Sequence, residues 1–320
     1  MRIALVTPAG TGSRAGNRHT ALRWAAMLRA AGHQVAVGTD WRPDSPADLM
    51  LALHARRSHG AINAFSQAHP ERPLVLALTG TDLYRDIRSS SEAKASLRMA
   101  HRFVTLQRLA ARELPPALRR KVRVVVQSSA TTLRHHPVSA RFRVAVIGHL
   151  RDEKDPLRAL LALGRLPPEM PVELVQLGDA LDKALAEQAK AAMRRDRRYR
   201  WLGSVPHAKA LRWLSSSHIL VVSSRMEGGA NVVSEALRIG VPVLASRIPG
   251  NVGLLGAAYP GYFPPEDETA LAALIARAQS DRRYYRSLRR WIRRLRPMVA
   301  PRREAAALLA ALSFPPRAGA

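Results

Sequence analysis

Short apolar runs alternate with longer segments of helical periodicity along most of the chain. The runs at 2–7, 48–53 and 74–78 are typical of strands buried on both faces of a parallel sheet. Between the first two runs, apolar residues spaced for one helix face, among them Trp24, predict a helix over 17–31. Strands that alternate with helices in this way predict a doubly wound α/β fold.

The alternation is interrupted at 134–139 and begins again with an apolar run at 143–147. We therefore predict two Rossmann-like domains that face each other across a cleft. The first is expected to span 1–138 and to be completed by a C-terminal helix at 301–313, and the second to span 139–297. Adjacent histidines in the linker point apart in an extended chain, and no carboxylate stands near them in sequence, so no metal is expected there.

The stretch 218–250 holds the densest group of candidate functional residues. A predicted strand at 219–222 leads into Glu227 and two glycines, which are expected to open a helix that carries Glu235. The helix start offers N–H groups and the positive end of its dipole to a diphosphate. Glu235 can accept two hydroxyl hydrogen bonds from a ribose, and Glu227 is expected at the sugar end of the same ligand.

A second turn of the same kind follows the predicted strand at 143–147. It contains His149, Arg151 and Lys154 before a helix that is expected to run through Leu163. A lysine acts as a point charge and an arginine as a two-pronged donor, so the turn suits a diphosphate. A solvated surface turn with charged residues is the alternative.

The first domain has its own candidate site, at the edge where its parallel strands end. The glycine-containing loop at 8–16 can surround an anion with backbone N–H groups, although glycine there can also serve a plain turn. Because ligands bind at the carboxyl ends of parallel strands, side chains from three strand ends are expected to share one crevice. These side chains are Ser13, Arg14, His54, Arg56, Thr81 and Asp82.

Charge is the strongest compositional signal, because 51 Lys and Arg against 24 Asp and Glu give a formal net charge of +27. A nucleic-acid binder is one interpretation, and an arginine-rich surface with anionic substrates is the other. Basic residues are spread along the chain without interleaved aromatics, so no nucleic-acid partner is expected. The basic helix predicted over 281–295 could dock on a membrane or pack on the protein with its arginines extended to solvent.

Absences in the sequence exclude several other classes. The chain has no cysteine, which rules out a disulfide scaffold and a thiolate nucleophile. No stretch approaches 18 uninterrupted apolar residues, so no membrane span is expected. The apolar start at 1–8 is too short for a targeting peptide and is interpreted as the first strand, so a cytoplasmic location is expected.

Three sequence features together resemble the retaining GT-B glycosyltransferases of family 4. Glu227 and Glu235 fit the family's pair of glutamates separated by seven residues, and Ser224 stands three residues before the first. Lys154 takes the position of the family lysine, while His149 replaces the family arginine. The loop Thr79-Gly80-Thr81-Asp82 is similar to a family loop that begins with histidine.

The resemblance implies a GT-B fold, a nucleotide-sugar donor and a transfer that needs neither metal nor cofactor. It implies catalytic roles for Lys154, Glu227 and Arg151. The implied donor contacts are Gly16, His149, Lys154, Gly228, Gly229, Ala230, Asn231 and Glu235.

Within this family, the stretches 7–25, 53–62 and 78–86 are most similar to the selenosugar synthases. That likeness implies transfer of N-acetylglucosamine from UDP-N-acetylglucosamine to the selenium of selenophosphate, with a downstream selenoneine-forming enzyme as the user of the product. Selenophosphate is a small, charged, soft nucleophile, so it needs cations and amides more than a general base. The expected acceptor contacts are Ser13, Arg14, Asn17, Arg18, His19, Thr20, His54, Thr81 and Asp82.

Two further alternatives are open within this scaffold. A family 4 enzyme with a sugar or lipid hydroxyl as acceptor would share the donor residues but would need a base near the anomeric carbon. A sugar-nucleotide enzyme that does not transfer, such as an epimerase, would share the fold.

Overall fold

The computed structural model of the protein describes residues 1–12 and 16–314. The chain forms two compact units, of which the first comprises Met1–Gln127 with the chain from Pro301 onward, and the second Ser128–Ala300. Segment 128–138, which the sequence assigned to the first domain, belongs to the second unit. The predicted acceptor residues Ser13 and Arg14 lie outside the described residues.

The first unit is built on a six-stranded parallel sheet with the order β2-β1-β3-β4-β5-β6. Its strands are β1 Arg2–Val6, β2 Gln34–Gly38, β3 Leu49–Leu53, β4 Leu74–Leu78, β5 Arg102–Thr105 and β6 Val122–Val124. Its helices are α1 Gly16–Ala30, α2 His59–Ala68, α3 Ile87–Ser89, α4 Ser91–Met99 and α5 Pro116–Arg119, with a π-helix at Asp82–Asp86 and a 3₁₀ helix at Arg108–Glu113. Both β3 and β4 are buried along their whole length, as expected for central parallel strands.

The C-terminal helix, Pro301–Leu312, is part of this first unit. Its Glu304 is buried and accepts a 2.7 Å hydrogen bond from the indole N–H of Trp24 on α1. Arg23 forms an ion pair with the same carboxylate at 3.0 Å. At the other end of the helix, Arg102 donates to the carbonyl oxygens of Ala311 and Ser313, where helix carbonyls lack partners of their own.

The second unit has its own six-stranded parallel sheet, with the order β12-β11-β10-β7-β8-β9. Its strands are β7 Phe142–Ile147, β8 Val172–Leu177, β9 Tyr199–Trp201, β10 Ile219–Val222, β11 Val243–Ser246 and β12 Tyr262–Phe263. Its helices are α6 Arg158–Leu163, α7 Lys183–Arg195, α8 His207–Ser215, α9 Asn231–Ile239, α10 Pro249–Leu255, α11 Glu268–Ser280 and α12 Arg282–Leu295, with 3₁₀ helices at Asp152–Lys154 and Arg296–Val299.

Two elements that carry candidate residues begin differently from the sequence expectation. The helix expected to open at Glu227 begins only at Asn231, so the two glycines belong to a loop. The turn after β7 forms the short 3₁₀ helix and then passes through Asp155, whose φ of 44° is left-handed, before α6 begins. These loops hold the functional side chains at the sheet edge.

The basic helix α12 packs on its own unit. Leu288 and Ile292 on its apolar stripe are fully buried, and the indole N–H of Trp291 donates to the carbonyl of Leu255 at 2.7 Å. The stripe is therefore occupied by internal packing, as one of the two interpretations predicted. Among the described residues no helix combines the length and the apolar character needed to cross a membrane.

Candidate functional site

An ion pair joins two residues that the sequence predicts to be catalytic. Lys154 follows β7 and Glu227 follows β10, and these strands are parallel neighbours in the sheet. The ammonium of Lys154 contacts Oε1 of Glu227, which also accepts a 2.6 Å hydrogen bond from the hydroxyl of Ser224. Glu227 is buried and Lys154 is partly exposed. A buried carboxylate is thus held by a cation that remains accessible to a second anion.

Arg225 fastens the loop that carries Lys154. Its guanidinium donates to the carbonyl of Asp152 at 3.0 Å, and its backbone N–H donates to the carbonyl of Glu153 at 3.0 Å. On the other side of Lys154, the hydroxyl of Ser223 donates to the carbonyl of Asp155 at 2.8 Å. Sequence reasoning did not select Arg225, because its partners lie about 73 positions away along the chain.

Gly250 fixes the backbone of Glu227. A Cβ atom at this glycine would lie 2.1 Å from the carbonyl oxygen of Glu227, far inside van der Waals contact. Only glycine therefore allows the start of α10 to approach the Glu227 loop this closely. The residue was not predicted, although a glycine directly after Pro249 at a helix start is a visible signal.

His149 and Glu235 also lie in the second unit. The Nδ1 atom of His149 accepts the backbone N–H of Asp179 at 3.2 Å, so a neutral ring carries its proton on Nε2. Glu235 lies on α9, where Oε1 of its carboxylate is paired with His207. Arg151 is exposed just before the 3₁₀ turn of Lys154. Gly228, Gly229 and Ala230 form the loop that leads into α9, which begins at Asn231.

Asp82, in the first unit, has a role that differs from the expected acceptor contact. Its carboxylate is fully buried and accepts hydrogen bonds from the backbone N–H groups of Ala55 at 3.1 Å, Thr79 at 3.0 Å and Gly80 at 2.8 Å. These groups lie in the loops after β3 and β4. Asp82 therefore ties the two loops together, and it does not face solvent.

His54 is buried at the same edge and has an unusual backbone, with φ of 77°. Its Nδ1 accepts the backbone N–H of Arg57 at 3.3 Å, and its Nε2 lies 3.1 Å from the hydroxyl of Thr81. Burial lowers the pKa of His54, and the nearby carboxylate of Asp82 opposes that shift only in part. The ring is therefore neutral at physiological pH, with its proton on Nε2 and directed at Thr81.

The start of α1 holds the remaining predicted residues of the first unit. Gly16 and His19 are exposed, while Asn17 and Arg18 are half-buried. Thr20 is buried, and its hydroxyl donates to the carbonyl of Gly16 at 2.9 Å and accepts from the amide of Gln127 at 2.6 Å. Thr20 thus joins the start of α1 to Gln127, and its expected contact with the acceptor remains a prediction.

No group of three or more potential metal ligands of the His, Cys, Asp and Glu types occurs across 1–12 and 16–314. The expectation of a reaction without metal or cofactor remains a prediction.

The chain has two doubly wound units, and an ion pair of Lys154 and Glu227 lies where β7 and β10 end. Together these features define a glycosyltransferase of the GT-B fold. The chain belongs to the family of glycosyl transferases group 1, whose family model matches residues 134–296. The matched region lies entirely within the second unit and contains Lys154, Glu227 and Glu235.

Solved structures with the same fold come from several bacteria. HepE of Anabaena, in a crystal structure with UDP, is 17% identical, with a TM-score of 0.76 over 96% of this chain and 97% of that one. Sucrose-phosphate synthase of Thermosynechococcus elongatus is 16% identical, with a TM-score of 0.74 over 97% of each chain. At such low identity these similarities establish the fold alone.

Proposed function

We propose that the protein transfers N-acetylglucosamine from UDP-N-acetylglucosamine to selenophosphate and is thus a selenosugar synthase. The use of a UDP-sugar is supported by the lysine and glutamate pair in the second unit. It is also supported by the fold shared with Anabaena HepE, which has been crystallised with UDP. The selenium acceptor is supported by the chemistry of the first unit.

Each donor residue has a role in this proposal. Lys154 and Arg151 neutralise the diphosphate as it leaves, so that no metal ion is needed. The N-terminal end of α9 adds its dipole to the same charge. Glu227 binds the sugar and Glu235 the ribose. His149, with its proton on Nε2, donates to a phosphate oxygen.

One observation supports selenophosphate as the acceptor: neither His54 nor Asp82 is arranged as a general base. The acceptor nitrogen of His54 is already used by a backbone N–H, and the carboxylate of Asp82 is used by three. A sugar or lipid hydroxyl needs a base to remove its proton during attack. A selenophosphate anion is nucleophilic without one.

The reaction balances with water as the additional reactant. Selenium attacks the anomeric carbon, the selenium–carbon bond forms, and the bond from that carbon to the diphosphate oxygen breaks to release UDP. Attack from the face that UDP leaves would retain the anomeric configuration. Water then cleaves the phosphorus–selenium bond, which yields inorganic phosphate and a sugar selenol for the downstream selenoneine-forming enzyme.

The test is to incubate the protein with UDP-N-acetylglucosamine and freshly prepared selenophosphate and to analyse the products by mass spectrometry. A selenium-containing N-acetylhexosamine, formed together with UDP, is the expected result. Formation of UDP only with sugar or lipid hydroxyl acceptors would contradict the selenium acceptor and leave the glycosyltransferase in place. Release of UDP without any acceptor would indicate an enzyme that does not transfer.

A further inference from the structure

In the first unit, a buried carboxylate that is contacted by two arginines lies at the edge of the sheet where the parallel strands end. Asp86 ends the π-helix after β4 and is only 3% exposed. The Nε atom of Arg56, which follows β3, lies 3.2 Å from Oδ2 of Asp86, and the Nε atom of Arg85 lies 3.2 Å from Oδ1. The side chains of Arg56 and Arg85 remain 40% and 50% exposed.

The two carboxylate oxygens of Asp86 differ in their hydrogen bonding. Oδ1 accepts a hydrogen bond from Arg85, whereas Oδ2 accepts none within the described part of the chain. Arg56 is near Oδ2 but outside hydrogen-bond geometry, and Nε2 of His54 is 3.8 Å away with its proton directed at Thr81. A buried carboxylate oxygen is usually hydrogen-bonded, so Oδ2 is an acceptor that lacks a donor.

These features select one kind of ligand. The arginine pair attracts an oxyanion, since guanidinium groups bind phosphate-type oxygens through paired hydrogen bonds. The carboxylate between them repels an anion that has lost all of its protons, but it accepts a hydrogen bond from an anion that has kept one. The ligand that satisfies both is a tetrahedral oxyanion with a proton on one oxygen.

We propose that Arg56, Arg85 and Asp86 form a binding site for a protonated phosphate-type oxyanion, in which Asp86 accepts the proton of the ligand. Inorganic phosphate and selenophosphate both keep a proton at neutral pH, because each has a third acidic group. Sulfate has the same shape and charge but no proton. The site rests on the proposed function only for the assignment of selenophosphate as its natural ligand.

Access to Oδ2 requires a movement of one side chain. Arg56 lies 3.2 Å from this oxygen without a hydrogen bond to it and is 40% exposed, so the proposal requires its side chain to rotate away from Oδ2. The guanidinium then binds an oxygen of the ligand, and Oδ2 receives the ligand's proton.

The test compares inorganic phosphate with sulfate by calorimetric titration of the full chain at constant ionic strength and neutral pH. The wild-type protein should bind phosphate at least about tenfold more tightly, because one charge-assisted hydrogen bond separates the two ligands. Asp86→Asn replaces the acceptor by an amide that can donate, so the preference for phosphate should disappear or reverse. Arg56→Gln should weaken both anions together.

Two control variants locate the effect. Arg88→Gln, which removes an exposed arginine paired with Glu113, should leave both affinities and their ratio unchanged. Lys190→Ala, which removes an exposed lysine of the second unit paired with Glu187, should likewise leave the preference for phosphate unchanged. If Asp86→Asn fails to fold, the ratio of the phosphate and sulfate affinities in the wild type and the titration of Arg56→Gln still test the proposal.

Equal affinity for phosphate and sulfate in the wild type, no binding of either, or an unchanged ratio in folded Asp86→Asn would each overturn the proposal. The proposed function fails separately. A protein that prefers phosphate over sulfate but makes no selenosugar has the oxyanion site and a different reaction. A protein that makes selenosugar without this preference binds its acceptor elsewhere.

Discussion

The Nε2 atom of His207 lies 2.8 Å from Oε1 of Glu235, the carboxylate proposed to bind the ribose of the donor. The histidine is mostly exposed while Glu235 is mostly buried, so the imidazole covers one carboxylate oxygen from the solvent side. A ribose hydroxyl that uses this oxygen must share it with the imidazole or displace it.

Glu235→Ala should therefore raise the Michaelis constant for the UDP-sugar about tenfold or more and leave turnover nearly unchanged, because binding is lost equally in the ground and transition states. Steady-state kinetics with varied donor measure this. Glu187→Ala, which removes an exposed carboxylate paired with Lys190, is the matched control. A fall in turnover without a change in the Michaelis constant would exclude the ribose role.

Lys154→Ala should lower turnover by roughly a hundredfold or more, since one preorganised charge is lost where the leaving group gains negative charge. The variant also leaves Glu227 buried without its cation. Rapid-quench or steady-state UDP release measures the effect, and Lys190→Ala serves as control. Unchanged kinetics would remove Lys154 from the diphosphate site.

Arg225→Gln should reduce turnover about tenfold to a hundredfold without a large loss of stability, because the loop that carries Lys154 loses its attachment to Arg225. Arg158→Gln is the matched control: that arginine binds Asp155, which directly follows Lys154, and Glu268 at the start of α11. Its loss should affect the unfolding midpoint more than turnover. Partial recovery of turnover in Arg225→Lys would indicate that Arg225 positions the loop that carries Lys154. Equal thermal destabilisation of Arg225→Gln and Arg158→Gln would contradict this role.

The carboxylate of Glu268 gives the second unit a pH-dependent stability. Hydrogen bonds from Arg165, from its own backbone and from Arg158 lower the pKa of Glu268 from 4.5 to about 2 in the folded state. The unfolded state then binds more protons between these values, so this contribution is complete above pH 4.5 and is lost as pH falls towards 2. Urea unfolding at several pH values should show a smaller acid dependence in Glu268→Gln. An identical dependence in both proteins would exclude this linkage.

Glu304→Ala should destabilise the first unit by about 3–5 kcal/mol, because it leaves the buried indole N–H of Trp24 unpaired and Arg23 without its carboxylate. Urea unfolding followed by tryptophan fluorescence measures this change. Glu187→Ala again provides the exposed control and should change stability by less than about 0.5 kcal/mol. A similar small loss in Glu304→Ala would show that the buried pair contributes little.

The sequence was sufficient for the fold because its strands are continuous apolar runs such as 49–53 and 74–78, which only a covered parallel sheet accommodates. It also placed Lys154 and Glu227 in turns that follow predicted strands. The structure brings these two turns together because β7 and β10 are parallel neighbours in the sheet.

Hydrogen-bond partners that are distant in sequence could not be inferred in this way. The sequence predicts Asp82 as a ligand contact, whereas in the structure its carboxylate accepts hydrogen bonds from the backbone N–H groups of Ala55, Thr79 and Gly80. Arg225 was not selected, because the carbonyl of Asp152 that its guanidinium binds lies far away in the sequence. The hydroxyl of Thr20 likewise accepts a hydrogen bond from the side-chain amide of Gln127, which lies 107 positions later in the sequence.

The pairing of Glu304 with Trp24 has a consequence for the order in which the chain can complete its folding. Trp24 is in the first tenth of the sequence, whereas Glu304 comes after the complete second unit. During synthesis from the N-terminus, Ser128–Ala300 is continuous and can fold as soon as it emerges. We therefore expect the first unit, whose N-terminal part is synthesised first, to be completed only when the helix Pro301–Leu312 supplies Glu304 to Trp24.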